Sequence, residues 1–222
     1  MFRSSNAIAA GLVLACFALG PGLSAASRAQ AADPVLAARA DFDRGLKNDD
    51  ADAVDRAAEE FGRLSAQDPD SPLLRAYYGS AMALRAKHAW APWNKMRYSE
   101  KGLDAIDKAL AMLQPAHETQ VLSGMPVALV TRLVSISTFD GLPDMFHRLG
   151  DAKDQLQQAY RSPSFAGAPA SLQAAFAYQA ALIARREGRG QAEAEQLRKV
   201  LALDAKGEKA PAAAARLREL GQ

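Results

Sequence analysis

From Ala32 onward, apolar residues recur three and four apart in one segment after another, and each segment ends at a polar or proline-bearing stop. That spacing lays apolar side chains along one stripe of an α-helix. Ala32–Lys47 carries Val35, Leu36, Ala38, Phe42 and Leu46 along one face. Asn48-Asp49-Asp50 stops it, and one of the two aspartates is placed to cap a second helix, Ala51–Ala66. The second helix turns Val54, Ala57, Ala58, Phe61 and Leu64 inward. After Gln67-Asp68-Pro69-Asp70, Ser71-Pro72 opens a third, with Ser as cap and Pro as first helical residue. No run alternates apolar and polar residues between turn signals, so no strand is predicted and the chain is expected to be all-α.

The first residues read differently. Met1-Phe2-Arg3 is a short positive start, Ala7 to Gly20 is apolar and uncharged, and Pro21-Gly22 breaks the run before Ala29-Gln30-Ala31, an A-x-A cleavage pattern. The run is shorter than the roughly 20 apolar residues a spanning helix needs. Residues 1–31 are therefore expected to be a signal peptide and 32–222 the exported domain. That places the protein in the periplasm, with no transmembrane segment in the mature chain. A second reading concerns Cys16, the one cysteine: Val13-Leu14-Ala15-Cys16 resembles a lipoprotein processing box, although the bulky Leu14 stands where a small residue is wanted. Removing the leader takes away Arg3 and Arg28, so 27 cations become 25 against 25 acids. A neutral chain lacks the clustered cations that bind phosphate backbones, and nucleic acid is excluded as a partner despite a sequence pI of 8.7.

Ala57, Phe61, Leu64 and Pro69, followed by Tyr78-Gly79 and Met82, resemble the small–large–small–Pro spacing of the tetratricopeptide repeat (TPR). A small residue lets paired helices approach closely, and its large neighbours fill the groove beside it. The pattern returns in Tyr98–Leu113 with Gly102, Ile106 and Ala109, then in Asp151–Tyr160 with Ala152, Leu156 and Ala159. It returns again in Leu172–Glu187 and Gln191–Leu203, joined by Gly188-Arg189-Gly190. Glu193 departs from the pattern by occupying a small-residue position. Ala210–Leu220, with Arg216, Arg218 and Glu219 outward, suits a terminal cap. Val127–Ser137 is rich in Val and Ile but is expected to be helical, with Ser123-Gly124-Met125-Pro126 as cap and start. The resemblance implies a right-handed solenoid of about four helical hairpins plus a C-terminal capping helix. It also implies a protein or peptide ligand on the concave face, with no cofactor. The first helices of the hairpins would then present Tyr77, Arg85, Arg132 and Tyr178.

Uneven spacing between Ala57, Gly102, Ala152 and Glu193 requires insertions, and two stand out: His88–Asn94 and Phe139–Gly150. The first holds Trp90 and Trp93 and runs on into Lys95, Arg97 and Tyr98. Either the indoles form an exposed platform with these cations, or they plug the end of a hairpin against Tyr77 or Tyr98. The second is apolar for a loop (Phe139, Leu142, Pro143, Met145, Phe146), and Arg132 is placed to anchor it through Asp140 or Asp144. The candidate partner-binding residues are Tyr77, Arg85, His88, Trp90, Trp93, Lys95, Arg97, Tyr98, Arg132, Phe146 and Tyr178.

Catalytic signatures are missing from the sequence. It has no G-x-S-x-G and no H-E-x-x-H, and its acids lie mostly on polar helix faces. His88, His117 and His147 fall on three different connections, so no metal site is expected. The expectation is a non-enzymatic periplasmic adaptor without cofactor, binding a protein or peptide of the cell envelope such as a transporter or assembly complex. The alternative is a small-ligand or glycan receptor built on the Trp90–Tyr98 loop.

Overall fold

The structure, a computed structural model, describes residues 33–221. The expected leader and Cys16 lie outside the described residues. Within them the chain forms nine α-helices and one two-stranded hairpin. The helices are α1 Pro34–Asn48, α2 Ala51–Gln67, α3 Pro72–His88, α4 Pro92–Ala111, α5 Val127–Gly141, α6 Leu149–Arg161, α7 Ala170–Arg186, α8 Gly190–Leu203 and α9 Ala210–Glu219. Short 3-10 turns stand at Pro115–Glu118 and Asp144–Phe146.

Local chemistry sets the helix starts. Asp33 caps α1 by accepting from the Val35 amide at 2.9 Å, and Asp50 caps α2 by accepting from Ala53 at 3.0 Å. Ser71 caps α3 with Pro72 behind it. A side-chain cap of this kind contributes about 1 kcal/mol.

The first expected insertion is shorter than the sequence suggested. α4 begins at Pro92, because a proline's fixed φ suits the first helical turn and its missing amide proton is not needed there. Only Ala89–Ala91 separates α3 from α4, so Trp93 and Asn94 of that insertion are helical, and Lys95, Arg97 and Tyr98 continue the same helix. A further difference lies before α5. Val121–Leu122 pairs antiparallel with Met125–Pro126, and the turn residues Ser123 and Gly124 have φ of 49° and 77°. Two left-handed residues are what a two-residue hairpin turn demands. The segment expected to cap and start α5 therefore forms this hairpin, and α5 starts one residue after it.

Helices adjacent in sequence pack against each other from α1 to α9. Odd-numbered helices also meet: α3 packs on α5 and α5 on α7. α1 reaches α3 through Phe42, whose ring meets Tyr77 edge-on at 6.0 Å. One apolar cluster runs from Val35 on α1 to Phe176 and Ile183 on α7, and a second joins α7, α8 and α9 around Ala177, Leu197 and Leu217. Of the small residues singled out in the sequence, Ala57, Ala152 and Ala159 are fully buried, and Gly79 and Gly102 stand where α3 and α4 approach closely.

Three expectations shift. Leu36 and Leu46 are about half exposed, since α1 has α2 and α3 on one side only and a narrow stripe of Val35, Ala38, Phe42 and Gly45 suffices. Glu193 is buried, and Arg216 folds back from α9 to bond it at 2.6 and 3.2 Å. Arg216 therefore faces inward, and the acid at a small-residue position becomes the tie between α8 and α9.

Candidate functional site

The odd-numbered helices share one feature beyond their packing. α1, α3, α5 and α7 all open onto a cavity of about 1410 Å³. Its remaining walls are the start of α4, the Gly124–Pro126 corner, the apolar insert Leu142–Phe146 and the segment from Asp204 to Lys209. The sequence produces this space because α3 and α5 carry apolar residues on more than one stripe. A helix that is apolar nearly all round has faces left over once its neighbours are packed. On α5, Val127, Leu129 and Ile136 are buried away from the cavity, while the buried Val130 and Val134 and the partly buried Leu133 line it. α1 supplies Phe42 and Leu46, α3 Tyr77 and Leu84, and α7 Leu172, Tyr178 and Leu182.

Tyr77 is a fixed part of the wall. Its ring stacks on Phe61 at 4.8 Å with an 8° tilt, and its hydroxyl lies 3.7 Å from the Met125 sulfur. Burial pushes its phenol pKa up to about 12. One turn along α3 from Tyr77, the Ser80 hydroxyl lies 2.8 Å from that of Thr138, joining α3 to α5. Gln179 on α7 places a buried amide oxygen on this wall with no hydrogen-bond partner among the described residues.

Charges of both signs line the rim. Arg39 and Asp43 approach to 3.8 Å along α1, and Lys47 at the end of α1 meets Glu208 at 3.0 Å. That second pair links the first helix to the segment before the last. Burial raises the Asp43 carboxyl above the ordinary range, partly offset by Arg39 and Lys47. Asp140 is raised for the same reason, against the pull of Arg186.

Of the residues anticipated from the sequence, Tyr77, Lys95, Phe146 and Tyr178 line the cavity. The others form two separate groups. Around the α3–α4 corner, Arg85 pairs with Asp55 at 2.8 Å and stacks 5.2 Å from the Tyr98 centroid, with Arg97 also over that ring at 5.1 Å. His88 is mostly buried, 3.7 Å from Asp49. Trp90 and Trp93 are 92% and 70% exposed, so they do not plug a hairpin against Tyr77 or Tyr98. Arg132 is the second departure. It lies between α5 and α6, donating to the Gln155 and Gln158 side-chain oxygens at 2.7 and 2.9 Å. The apolar insert is anchored instead by Arg186 of α7, which donates to the Asp140 carbonyl at 2.6 Å and pairs with the Asp140 and Asp144 carboxylates. Sequence reasoning missed Leu133, Leu172, Leu182 and Gln179. The available signal was the surplus of apolar residues on α5 and α7 beyond a single stripe.

Among the described residues no group of three His, Cys, Asp or Glu side chains is placed to hold a metal ion, and no helix is long and apolar enough to cross a membrane. His117 accepts from the Gln114 amide at 2.9 Å, and His147 ends a 3-10 turn with φ of 54°. A scan against protein-family models found no match, and neither a search of curated proteins nor one of solved structures returned any.

Proposed function

We propose that this chain is an exported, non-enzymatic TPR-like scaffold that holds an apolar segment of a partner protein in the cavity between α1, α3, α5 and α7. The observation that carries the proposal is the convergence of alternate helices on one space. α1/α2, α3/α4, α5/α6 and α7/α8 are four successive packed pairs, α9 follows as a cap, and the first member of each pair faces the cavity. This convergence supports the TPR-like reading, in which stacked helical repeats expose a continuous binding surface. The leader-like sequence of residues 1–31 supports a periplasmic setting.

Size and chemistry favour a polypeptide over a small metabolite. Small-ligand sites run from about 300 to 1,000 Å³, and this cavity is larger. Its apolar walls suit the anchor side chains of a helix or extended segment laid in a groove. Its unpaired Gln179 oxygen and mixed-sign rim suit the backbone amides and charged flanks that such a segment carries.

The test is site-specific photo-crosslinking in the periplasm. A benzoylphenylalanine at Leu133 or Tyr178 should give a discrete conjugate with one envelope protein, and mass spectrometry should map it to an apolar segment. The same probe at Glu59, on the exposed face of α2, should give none. Crosslinks to lipid or small molecules only, or equal labelling from Glu59, would reject the proposal.

A further inference from the structure

The α3–α4 corner carries a second surface that the cavity does not explain. Trp90 is 92% exposed and Trp93 70%, and Met96, one turn on, is 39% exposed. These are the two tryptophans of the chain, and both stand in water. Charge gathers at the same place. Between Arg85 and Lys101 there are five Lys or Arg residues and one acid, Glu100; Arg85 and Lys87 are paired with Asp55 and Asp49, which leaves Lys95, Arg97 and Lys101 outside any ion pair among the described residues. Residues 32–222 as a whole balance 25 cations against 25 acids once Arg3 and Arg28 are set aside. Lys95 has no acidic partner among the described residues, and Arg97 stacks on Tyr98 without one.

The corner is also rigid. Pro92 fixes the first turn of α4, Ala91 is buried beneath it, and Tyr98 is flanked by Arg85 and Arg97. Trp93 stands out from the first turn of α4, and Trp90 from the three-residue connection just before it.

We infer that this corner docks the protein on an anionic lipid surface, with Trp90 and Trp93 entering the headgroup region and Lys95 and Arg97 meeting lipid phosphates. An indole has an apolar body and one N–H donor, and it prefers the boundary between hydrocarbon and water. Cations beside it add attraction to anionic headgroups. Neither term alone holds a protein firmly, and stable attachment takes two signals together. A protein partner would fit these residues less well, because tryptophan hot spots lie in fully desolvated pockets ringed by other contacts. Trp90 has almost no neighbouring surface to form such a ring, whereas a bilayer demands no matching wall. Lys95 and Met96 also line the cavity, so docking here would bring the cavity's edge close to the membrane.

Because both tryptophans lie in this patch, intrinsic fluorescence reports on it alone. The test uses residues 32–222, which form a compact unit of their own and exclude the apolar leader. Vesicles of phosphatidylglycerol should shift the emission to the blue and co-sediment the protein, and vesicles of phosphatidylcholine should do so at least tenfold less. Raising the salt from 0.05 to 0.5 M should weaken binding severalfold. The pairs Trp90→Ala/Trp93→Ala and Lys95→Glu/Arg97→Glu should each reduce co-sedimentation at least tenfold while leaving the far-ultraviolet circular dichroism unchanged. The Trp90→Ala/Trp93→Ala pair, which lies outside the cavity lining, should also leave crosslinking from Leu133 intact, which separates this inference from the cavity proposal. Three outcomes would overturn it: no shift with phosphatidylglycerol, undiminished sedimentation of either double variant, or a shift with a soluble acidic peptide or glycan but not with vesicles.

Discussion

Gly79 of α3 and Gly102 of α4 meet backbone to backbone. A methyl group on Gly79 would sit 2.7 Å from the Gly102 carbonyl oxygen, and one on Gly102 would sit 2.6 Å from the Gly79 carbonyl oxygen. The obstruction is main chain on both sides, so no rotamer change relieves it. Gly79→Ala and Gly102→Ala should each destabilise the fold by about 1–3 kcal/mol, the overpacking penalty outweighing alanine's helix propensity. Gly150→Ala is the control, since nothing lies within 4 Å of that position on α6. It should be neutral or stabilising by up to about 1 kcal/mol. Urea denaturation of the three variants checks the contrast.

Glu193 and Arg216 join the last two helices. Glu193 is 3% exposed, and the guanidinium is its bonded partner. Removing one member of a buried pair leaves the other charge unpaired, which is worse than removing both. Arg216→Ala should therefore lower the melting temperature more than Arg218→Ala, and Glu193→Ala added to it should restore part of the loss. Thermal melts of the single and double variants form the cycle. A double variant less stable than Arg216→Ala would contradict the pairing.

The helical segments and their close-packed small residues were legible because both rest on local spacing. Ser71-Pro72, Asp50 and Gly102 act where the sequence placed them. The misreadings concern choices made by distant partners. The sequence points to Arg132, the nearby cation on the preceding helix, as anchor of the Asp140–Asp144 insert, whereas the packing of α7 on α5 brings Arg186, more than 40 residues on, to those carboxylates. Glu193 departs from the small-residue pattern of the repeat, and its partner lies 23 residues on, so only the packing of α9 on α8 reveals the pair. The cavity was half visible. Tyr77 and Tyr178 follow from the resemblance, as residues of the first helices, and Phe146 from the apolar insert, but Leu133 and Leu182 look like core until the helices around them are found to stand apart.

Asp140 gives a pH signature. Burial raises its carboxyl above the ordinary value of 3.8 in spite of Arg186. The folded state therefore holds this proton to higher pH than the unfolded chain does, and the linked stability is present below 3.8 and lost as pH rises through the folded pKa. Asp140→Asn removes that titration while leaving the carbonyl that accepts from Arg186. Its stability relative to the unmodified chain should improve between pH 3 and pH 7. Denaturation curves at four or five pH values check the slope, and a difference that falls with rising pH would contradict it.

Leu133 offers the cleanest separation of cavity from core. It is partly buried, faces the cavity from α5, and lies between Val130 and Val134 on the same wall. Leu133→Trp adds volume into open space, so stability should change by less than about 1 kcal/mol, in contrast to the 1–3 kcal/mol typical of enlarging a packed core residue. Binding should respond in the opposite proportion, because the indole occupies space the partner segment needs. With the crosslinking probe at Tyr178, Leu133→Trp should cut conjugate yield at least tenfold. Leu129→Trp, on the buried face of α5, should instead unfold the domain or lower its stability sharply. A Leu133→Trp protein that is stable and crosslinks at full yield would show that the partner does not enter between α3, α5 and α7. The surface proposal at Trp90 and Trp93 would then stand alone.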